Sequence, residues 1–169
     1  MNSIPHLQTE RLILRPFVID DTKALFNIVQ EPNIFQYFPT KKAWSLERTD
    51  RYINYQIEHW ERHNYGHWAV TAKESGQLMG WCGLEFLPET SETEVGYLLN
   101  NAFWGNGFAT EAATASVEFG RNELSLQEII GLTDPQNRAS QRVLEKSGFA
   151  FTRKQFYFGM EMFRFSTQV

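Results

Sequence analysis

The sequence has little of what would mark several classes of protein. Its 169 residues include one cysteine, Cys82, which excludes an intramolecular disulfide framework and favours a reducing compartment. Cys82 stands in an apolar strand, so we expect a buried structural thiol rather than a nucleophile. No apolar run approaches membrane-spanning length, and the N-terminus lacks the basic start and apolar core of a signal peptide. We therefore expect a cytoplasmic protein without a membrane partner.

The chain also lacks an excess of basic residues. Its 16 Lys and Arg stand against 20 Asp and Glu, and the resulting net charge of −4 argues against a nucleic-acid partner. What it has in quantity is aromatic side chains, with 14 Phe, 6 Tyr and 5 Trp, in a composition that is 42% hydrophobic. These amounts and the chain length favour one packed domain over residues 1–169.

Hydrophobic periodicity predicts a mixed α/β chain in the order β-α-α-β-β-β-α-β-α-β-β. A first strand over 11–17 is followed by a helix capped by Asp20 or Asp21 and by a second helix that begins at Ser45. An antiparallel meander and four further elements follow, predicted as strands 67–73, 77–87 and 94–99, a helix over 108–124, a strand over 128–133, a helix from Asn137 to Gly148 and a hairpin that turns near Gly159. The meander, with Thr110 in place of a third glycine, argues against a Rossmann unit.

The stretch with most chemical content is the loop between strand 94–99 and the helix that begins at Phe108. Gly105 and Gly107 have no Cβ, so the backbone there can turn tightly and approach a ligand closely. The helix start aims unpaired N–H groups and the positive end of the helix dipole at the same place. This pattern indicates a diphosphate site, although glycines also serve in simple turns that lead into a core helix.

Two runs of residues resemble the GNAT N-acetyltransferase superfamily, in the RimJ/RimL-like branch that acetylates ribosomal-protein N-termini. The family's acetyl-CoA loop reads Gln or Arg, two residues, Gly, one residue, then Gly or Ala. Gly107 and Ala109 match it, while Trp104 departs at the first position. The run NRASQRVLEKSGF, from Asn137 to Phe149, is similar to the second family signature. With the opening TERLILRPF, the resemblance covers almost the whole chain and implies an α+β fold, a mostly antiparallel twisted sheet flanked by helices.

The resemblance implies acetyl-CoA as co-substrate and no metal. In the family the strand over 95–99 splays from its neighbour, the pantetheine arm pairs with its backbone, and an N–H near Leu98 or Leu99 stabilises the oxyanion. The residues implied to contact acetyl-CoA are Tyr97, Leu98, Leu99, Trp104, Gly105, Asn106, Gly107, Phe108, Ala109, Thr110, Asn137, Ser140 and Arg142. Three of them have a plainer alternative, namely Asn137 as a helix cap, Ser140 as a small residue at a helix–sheet contact and Arg142 as part of a solvated basic stripe.

The catalytic assignment also follows the resemblance. The family's usual acid is a tyrosine seven residues after the motif's Asn, where this chain has Leu144, so Ser140 is the expected acid, as proposed for the resembled branch. Glu94 is the expected base, acting directly or through water, with Glu85 as second choice. Either carboxylate could instead be an ordinary surface group.

The implied acceptor site lies between the first two helices and the late hairpin. Its candidate walls are Phe35, Tyr37, Phe38, Trp44 and Tyr157, with core packing as the alternative for each. The acceptor is a primary amine, either a protein N-terminal α-amine or a small molecule such as an amino acid, a polyamine or an aminoglycoside. Dimers are common in the resembled family, and the aromatic terminal hairpin could supply a homodimer interface.

Other functions remain open to comparison. His59 and His63 are four residues apart, as in the zinc motif H-E-x-x-H, but the Glu between them comes one place too late and a third ligand is missing. We expect a solvated helix face there and no metal. The main alternative to an enzyme is a non-catalytic acyl-CoA-binding or sensor domain on the same fold. A structural or partner-binding globule would leave the glycine loop empty.

Overall fold

A computed structural model describes residues 4–168, which contain one eight-stranded sheet and four α-helices. The strands are β1 (Leu7–Gln8), β2 (Leu12–Arg15), β3 (His67–Ala72), β4 (Leu78–Leu87), β5 (Glu92–Leu99), β6 (Ile130–Thr133), β7 (Ala150–Tyr157) and β8 (Met160–Ser166). The helices are α1 (Thr22–Ile28), α2 (Leu46–His63), α3 (Phe108–Asn122) and α4 (Arg138–Lys146). The predicted order of elements is present, with one addition, the two-residue strand β1 that pairs with β2.

The strands lie in the order β1-β2-β3-β4-β5-β6-β8-β7, and every neighbouring pair is antiparallel except β5 and β6. Within residues 4–168 those two parallel strands are in register at one pair only, Glu94 with Ile130. Beyond that pair, β5 continues to Leu99 and β6 to Thr133 without pairing with each other, while β5 still pairs with β4 and β6 with β8. The sheet is therefore split between β5 and β6 towards their carboxyl ends.

The alternation of β5 decides which side chains meet on each face of the sheet. Val95 and Leu99 join the hydrophobic core that contains residues of α3 and α4, whereas Leu98 joins the core formed with α1 and α2. Because side chains alternate along a strand, Glu94 shares the α1/α2 face with Leu98, and Tyr97 shares the α3/α4 face with Val95. The two faces of the split thus carry different functional groups.

Helix α2 is the longest helix, and its ends follow the sequence closely. Ser45 accepts a hydrogen bond from the Arg48 N–H and so caps the helix as predicted, and Asn64 ends it in the left-handed conformation with φ of 60°. Ile53 and Trp60 are buried on its inner face. In the described part of the chain, no helix is long and apolar enough to cross a membrane.

The predicted aspartate cap of α1 is wrong in its chemistry. Asp21 does precede the helix, but its side chain makes no capping bond. Its carboxylate instead pairs with the Arg15 guanidinium at 2.7 Å and accepts from the Val18 N–H at 3.0 Å. The two-pronged bond to Arg15 engages both carboxylate oxygens of Asp21.

The prediction of a solvated face around His59 is also wrong. His59 is buried, with Nδ1 2.7 Å from the Tyr65 carbonyl oxygen and Nε2 accepting from the Phe86 N–H at 3.2 Å. Each ring nitrogen is therefore occupied by a backbone group of the neighbouring loop or strand. No cluster of three His, Cys, Asp or Glu side chains that could hold a metal is found between residues 4 and 168.

Cys82 is fully buried in β4, as expected for a structural thiol. Its Sγ lies 3.5 Å from the Ser116 hydroxyl of α3, and burial raises the pKa of the thiol to about 12. A thiol with so high a pKa is protonated at neutral pH and is a poor nucleophile.

Candidate active site

The glycine loop adopts the tight turn that the sequence predicts. Gly105 and Gly107 have φ of 75° and 80°, in the left-handed region, and Gly107 occupies the N-cap position of α3. The loop from Trp104 to Gly107 is exposed, and Phe108, Ala109 and Thr110 form the partly exposed first turn of the helix. The first N–H groups of α3 therefore lie beside two glycines that have no side chains, which suits a diphosphate.

Arg11 holds this loop in place, a role that the sequence did not reveal. Its Nη1 donates to the Asn106 carbonyl oxygen at 3.0 Å, its Nε donates to Glu111 at 2.8 Å, and its guanidinium lies 4.1 Å from the centre of the Phe108 ring. Thr9 donates to the same Glu111 carboxylate at 2.6 Å. Arg11 is almost a hundred residues from these partners, so no local pattern could have found the contact.

Trp104 closes the end of β5. Its indole N–H donates to the Leu99 carbonyl oxygen at 2.7 Å, while half of the side chain remains exposed. The departure from the resembled motif at this position thus has a structural use. It fixes the loop to the strand whose free edge faces the split.

Ser140 and Tyr97 meet on the α3/α4 side of the split. The two hydroxyl oxygens are 2.7 Å apart, and the Tyr97 hydroxyl also donates to the Ser140 carbonyl oxygen at 3.2 Å. Asn137 caps α4 by accepting from the Ser140 N–H at 3.1 Å, as predicted. Leu144, where the resembled motif has its tyrosine, is buried in the core. A phenol from β5 therefore stands beside the serine.

Comparison with known proteins decides the family. Residues 11–150 match the model of the acetyltransferase (GNAT) domain. The chain belongs to the GNAT acetyltransferase family. As a GNAT member it is an N-acetyltransferase, and GNAT enzymes use acetyl-CoA as acetyl donor.

Individual relatives agree with this membership. YkkB of Bacillus subtilis is 31% identical over 158 residues, which cover 90% of each chain. The crystal structure of an acetyltransferase from Agrobacterium tumefaciens superposes with a TM-score of 0.84 at 27% identity, over 98% of this chain and 95% of that one. RimL, a ribosomal L7/L12 alpha-N-protein acetyltransferase solved with coenzyme A, has a TM-score of 0.81 over 98% of this chain and 97% of its own. At 16% identity, RimL shows a shared fold only.

The GNAT fold places two carboxylates on the α1/α2 side of the split. Glu85 of β4 and Glu94 of β5 are directly opposite each other, so their side chains share one face. Burial, followed by the charges of Glu85 and Glu92, raises the pKa of Glu94 to about 8. Glu92 is paired with Arg164 at 2.8 Å, whereas Glu85 and Glu94 have no Lys or Arg partner within the described residues.

The predicted acceptor residues separate into two groups. Phe35 and Trp44 are buried in an aromatic stack, with ring centres 5.2 Å apart, and Trp81 continues it 5.4 Å further on. Phe38 meets the edge of Phe35. Phe35 and Trp44 therefore belong to the hydrophobic core formed with α1 and α2, and the partly buried Phe38 packs against it.

Tyr37 and Tyr157 lie elsewhere. Tyr37 lines an open cleft of about 590 Å³ that lies between residues 30–43 and Gln136 at the start of α4. Tyr157 is buried near the paired end of the split, where its hydroxyl donates to Glu92 at 2.8 Å and its pKa is raised to about 12 by burial and by that carboxylate. Tyr37 is thus the predicted acceptor residue that lines the cleft beside residues 30–43 and is not buried.

Arg142 lies on the outer face of α4. It is exposed and makes no ion pair within residues 4–168. An exposed guanidinium without an acidic partner is suited to a phosphate group.

Proposed function

We propose that this protein transfers the acetyl group of acetyl-CoA directly to a primary amine within a ternary complex. The observation that carries the proposal is the split between β5 and β6, with the glycine loop at one end and different proton-active groups on its two faces. A thioester arm threaded through the split would have Ser140 and Tyr97 on one side and Glu94 on the other. Direct transfer then requires no covalent enzyme intermediate.

The described residues fit acetyl-CoA as substrate. The diphosphate is assigned to Gly105, Asn106, Gly107 and the first turn of α3, because these groups offer N–H donors and no obstructing side chain. Arg142 is assigned to a phosphate of the adenosine end. The free edge of β5 at Leu98 and Leu99 supplies backbone groups to the pantetheine arm and an N–H to the oxyanion.

Proton transfer is assigned to groups on opposite faces of the split. Glu94 takes a proton from the ammonium group of the acceptor, and the neutral nitrogen then attacks the thioester carbonyl carbon. As the C–S bond breaks, the thiolate receives a proton from the Ser140 hydroxyl, and the second proton lost by the nitrogen restores the hydroxyl pair of Ser140 and Tyr97. The overall reaction converts an ammonium ion and acetyl-CoA into an amide, free thiol and one proton.

The acidity of Glu94 favours an α-amine as acceptor. An α-amino group has a pKa of about 8, close to that of Glu94, whereas a lysine amine near 10.4 would need a much stronger base. The finer assignment is therefore a protein N-terminal α-amine or the α-amine of a small molecule. Cytoplasmic localisation and a homodimer through the terminal hairpin stay predictions.

Calorimetry and a thiol-release assay test the proposal in one sample. We expect acetyl-CoA to bind and free thiol to appear with at least one member of a panel of amino acids, polyamines, aminoglycosides and short peptides. Binding without release for the whole panel would favour the sensor domain. Failure to bind acetyl-CoA would contradict the proposal.

A further inference from the structure

A histidine outside the proposed reaction pathway lies under the acceptor side of the split. His67, Gly83 and Gly96 form one row across β3, β4 and β5. A Cβ on Gly96 would come within 3.1 Å of His67 Nε2, and a Cβ on Gly83 would strike the backbone of Gly66. The two glycines therefore let the imidazole reach across the sheet towards β5.

The two nitrogens of this imidazole have unequal surroundings. His67 is 5% exposed, and its Nδ1 lies 2.7 Å from the Tyr52 hydroxyl. Its Nε2 is buried without a hydrogen-bond partner in the described structure and points towards Glu85, whose Oε2 is 3.5 Å away. Buried polar atoms normally have a hydrogen-bond partner. An unpartnered nitrogen beside a carboxylate therefore indicates a functional hydrogen bond that forms when the site is occupied.

Tyr52 decides which nitrogen carries the proton. Burial lowers the pKa of His67, so the ring is neutral and holds one proton. Burial also raises the pKa of Tyr52, so the Tyr52 hydroxyl keeps its proton. Within the described residues, His67 Nδ1 is the only hydrogen-bond partner of that hydroxyl. The hydroxyl therefore donates to Nδ1, and the ring proton lies on Nε2, facing Glu85.

We propose that Tyr52 and His67 are positioning residues that hold Glu85 towards the split, where its carboxylate binds the acceptor amine as an ammonium ion. This inference rests on the proposed function. A small rotation of the partly exposed Glu85 side chain brings its oxygen into hydrogen-bond range of Nε2–H. The titratable and charged groups around Glu85 are His67 of β3, Glu94 of β5, and Tyr52, Tyr55, His59 and Arg62 of α2, and the Tyr55 hydroxyl also hydrogen-bonds with Glu85.

Glu85 and Glu94 then have separate duties. No Lys or Arg forms an ion pair with Glu85 or Glu94 within the described residues, so the ammonium ion of the substrate can supply the positive partner. Glu85 binds the ammonium ion, and Glu94 accepts its proton and leaves the neutral amine. The site thus selects a cationic primary amine, and among α-amines it disfavours those that carry a free carboxylate next to the amine.

The tautomer of His67 is the first measurement, because it requires no turnover. Nitrogen-15 NMR of the whole protein at pH 7 should show a proton on Nε2 and a bare Nδ1. In Tyr52→Phe, which removes only the hydroxyl, the two tautomers should mix. A proton on Nδ1 in the wild type would overturn the proposal whether or not the protein transfers acetyl groups.

Kinetics with the best acceptor amine are the second measurement. Tyr52→Phe and Glu85→Gln should each raise the amine KM by about tenfold, with little change in kcat or in acetyl-CoA binding. The double variant should be no worse than Glu85→Gln, since both changes remove one arrangement. Tyr65→Phe is the matched control, because it removes a tyrosine hydroxyl that is bonded to Thr93 and not to Tyr52, His67 or Glu85.

Additive effects, or an unchanged amine KM in Tyr52→Phe, would overturn the positioning role. Absence of thiol release by the wild type would overturn the proposed function instead. The NMR result separates the two failures, since the tautomer is measured without any acetyl transfer.

Discussion

Arg11 donates from Nη1 to the Asn106 carbonyl oxygen at 3.0 Å and thereby connects the first strand region to the glycine loop. The same side chain pairs with Glu111 and lies over the Phe108 ring. The loop and the helix start are thus held by one guanidinium. Its planar fork cannot be copied by a single ammonium group.

Arg11→Lys should weaken acetyl-CoA binding because the charge remains while the fork is lost. We expect a rise of about tenfold in Kd by calorimetry, with a small loss of thermal stability. Arg51→Lys is the control, since Arg51 makes an exposed helical pair with Glu47 away from the loop. Equal Kd values for wild type and Arg11→Lys would show that the loop does not depend on this residue.

Gly105→Ala should reduce acetyl-CoA affinity beyond its effect on folding. Gly105 and Gly76 have φ of 75° and 70°, and an added Cβ at either would meet no atom within 4 Å. Alanine should therefore cost about 1–2 kcal/mol of unfolding free energy at both positions, through backbone strain. Only Gly105→Ala should also raise the Kd. An equal loss of affinity in Gly76→Ala would show that the effect of Gly105→Ala is not specific to the loop, and would contradict the assignment of the loop to the binding site.

Acetyl transfer should increase with pH through the ionisation of Glu94. Its pKa of about 8 means that the carboxyl is mostly protonated at pH 7 and becomes a base as the pH rises. In the pH profile of kcat/KM, Glu94→Gln should lose this rise and fall by about a hundredfold at pH 8.5. Because the acceptor amine titrates in the same range, the comparison uses one amine for both proteins. An unchanged profile would move the base elsewhere.

Ser140→Ala should lower kcat and leave acetyl-CoA binding nearly unchanged, since the hydroxyl acts on the leaving thiolate. We expect a loss of between about tenfold and a hundredfold in single-turnover thiol release. Tyr97→Phe should give a smaller loss of rate, because Ser140 would still have a proton to donate to the thiolate. A thiol leaving group of lower pKa should restore part of the rate of Ser140→Ala, which a packing defect would not do.

The fold should lose stability in acid partly through His59. Its folded-state pKa is lowered, first by burial, so its contribution is present above the unfolded value of about 6.5 and is lost as the pH falls through the folded pKa. Unfolding free energy measured by urea between pH 7.5 and pH 5 should therefore fall less in His59→Gln than in wild type. His63→Gln is the control, since His63 is partly exposed. Parallel curves for wild type and His59→Gln would refute the assignment.

The sequence predicted those parts of the site that depend on neighbouring residues. Gly107 and Asn137 act through local backbone geometry, so the positive φ and the cap could be inferred from the chain itself. His59 was misjudged because helical spacing shows which residues share a face, while burial of that face depends on Tyr65 and Phe86.

Contacts between distant segments were out of reach for the same reason. The sequence named Ser140 but gave no sign that Tyr97 would meet it, because sheet register joins residues that are far apart in the chain. Likewise, Phe35 and Trp44 were predicted as acceptor-site walls with core packing as the alternative, and only the structure shows that they stack in the core.

The split between β5 and β6 also bears on aggregation. A strand edge with unpaired N–H and C=O groups normally attracts strands of other molecules, and proteins protect such edges at the border of a sheet. Here the open edge of β5 lies in the interior of the sheet, with β6 on its far side. The protein can therefore leave backbone groups free for a ligand without exposing an adhesive edge to its neighbours.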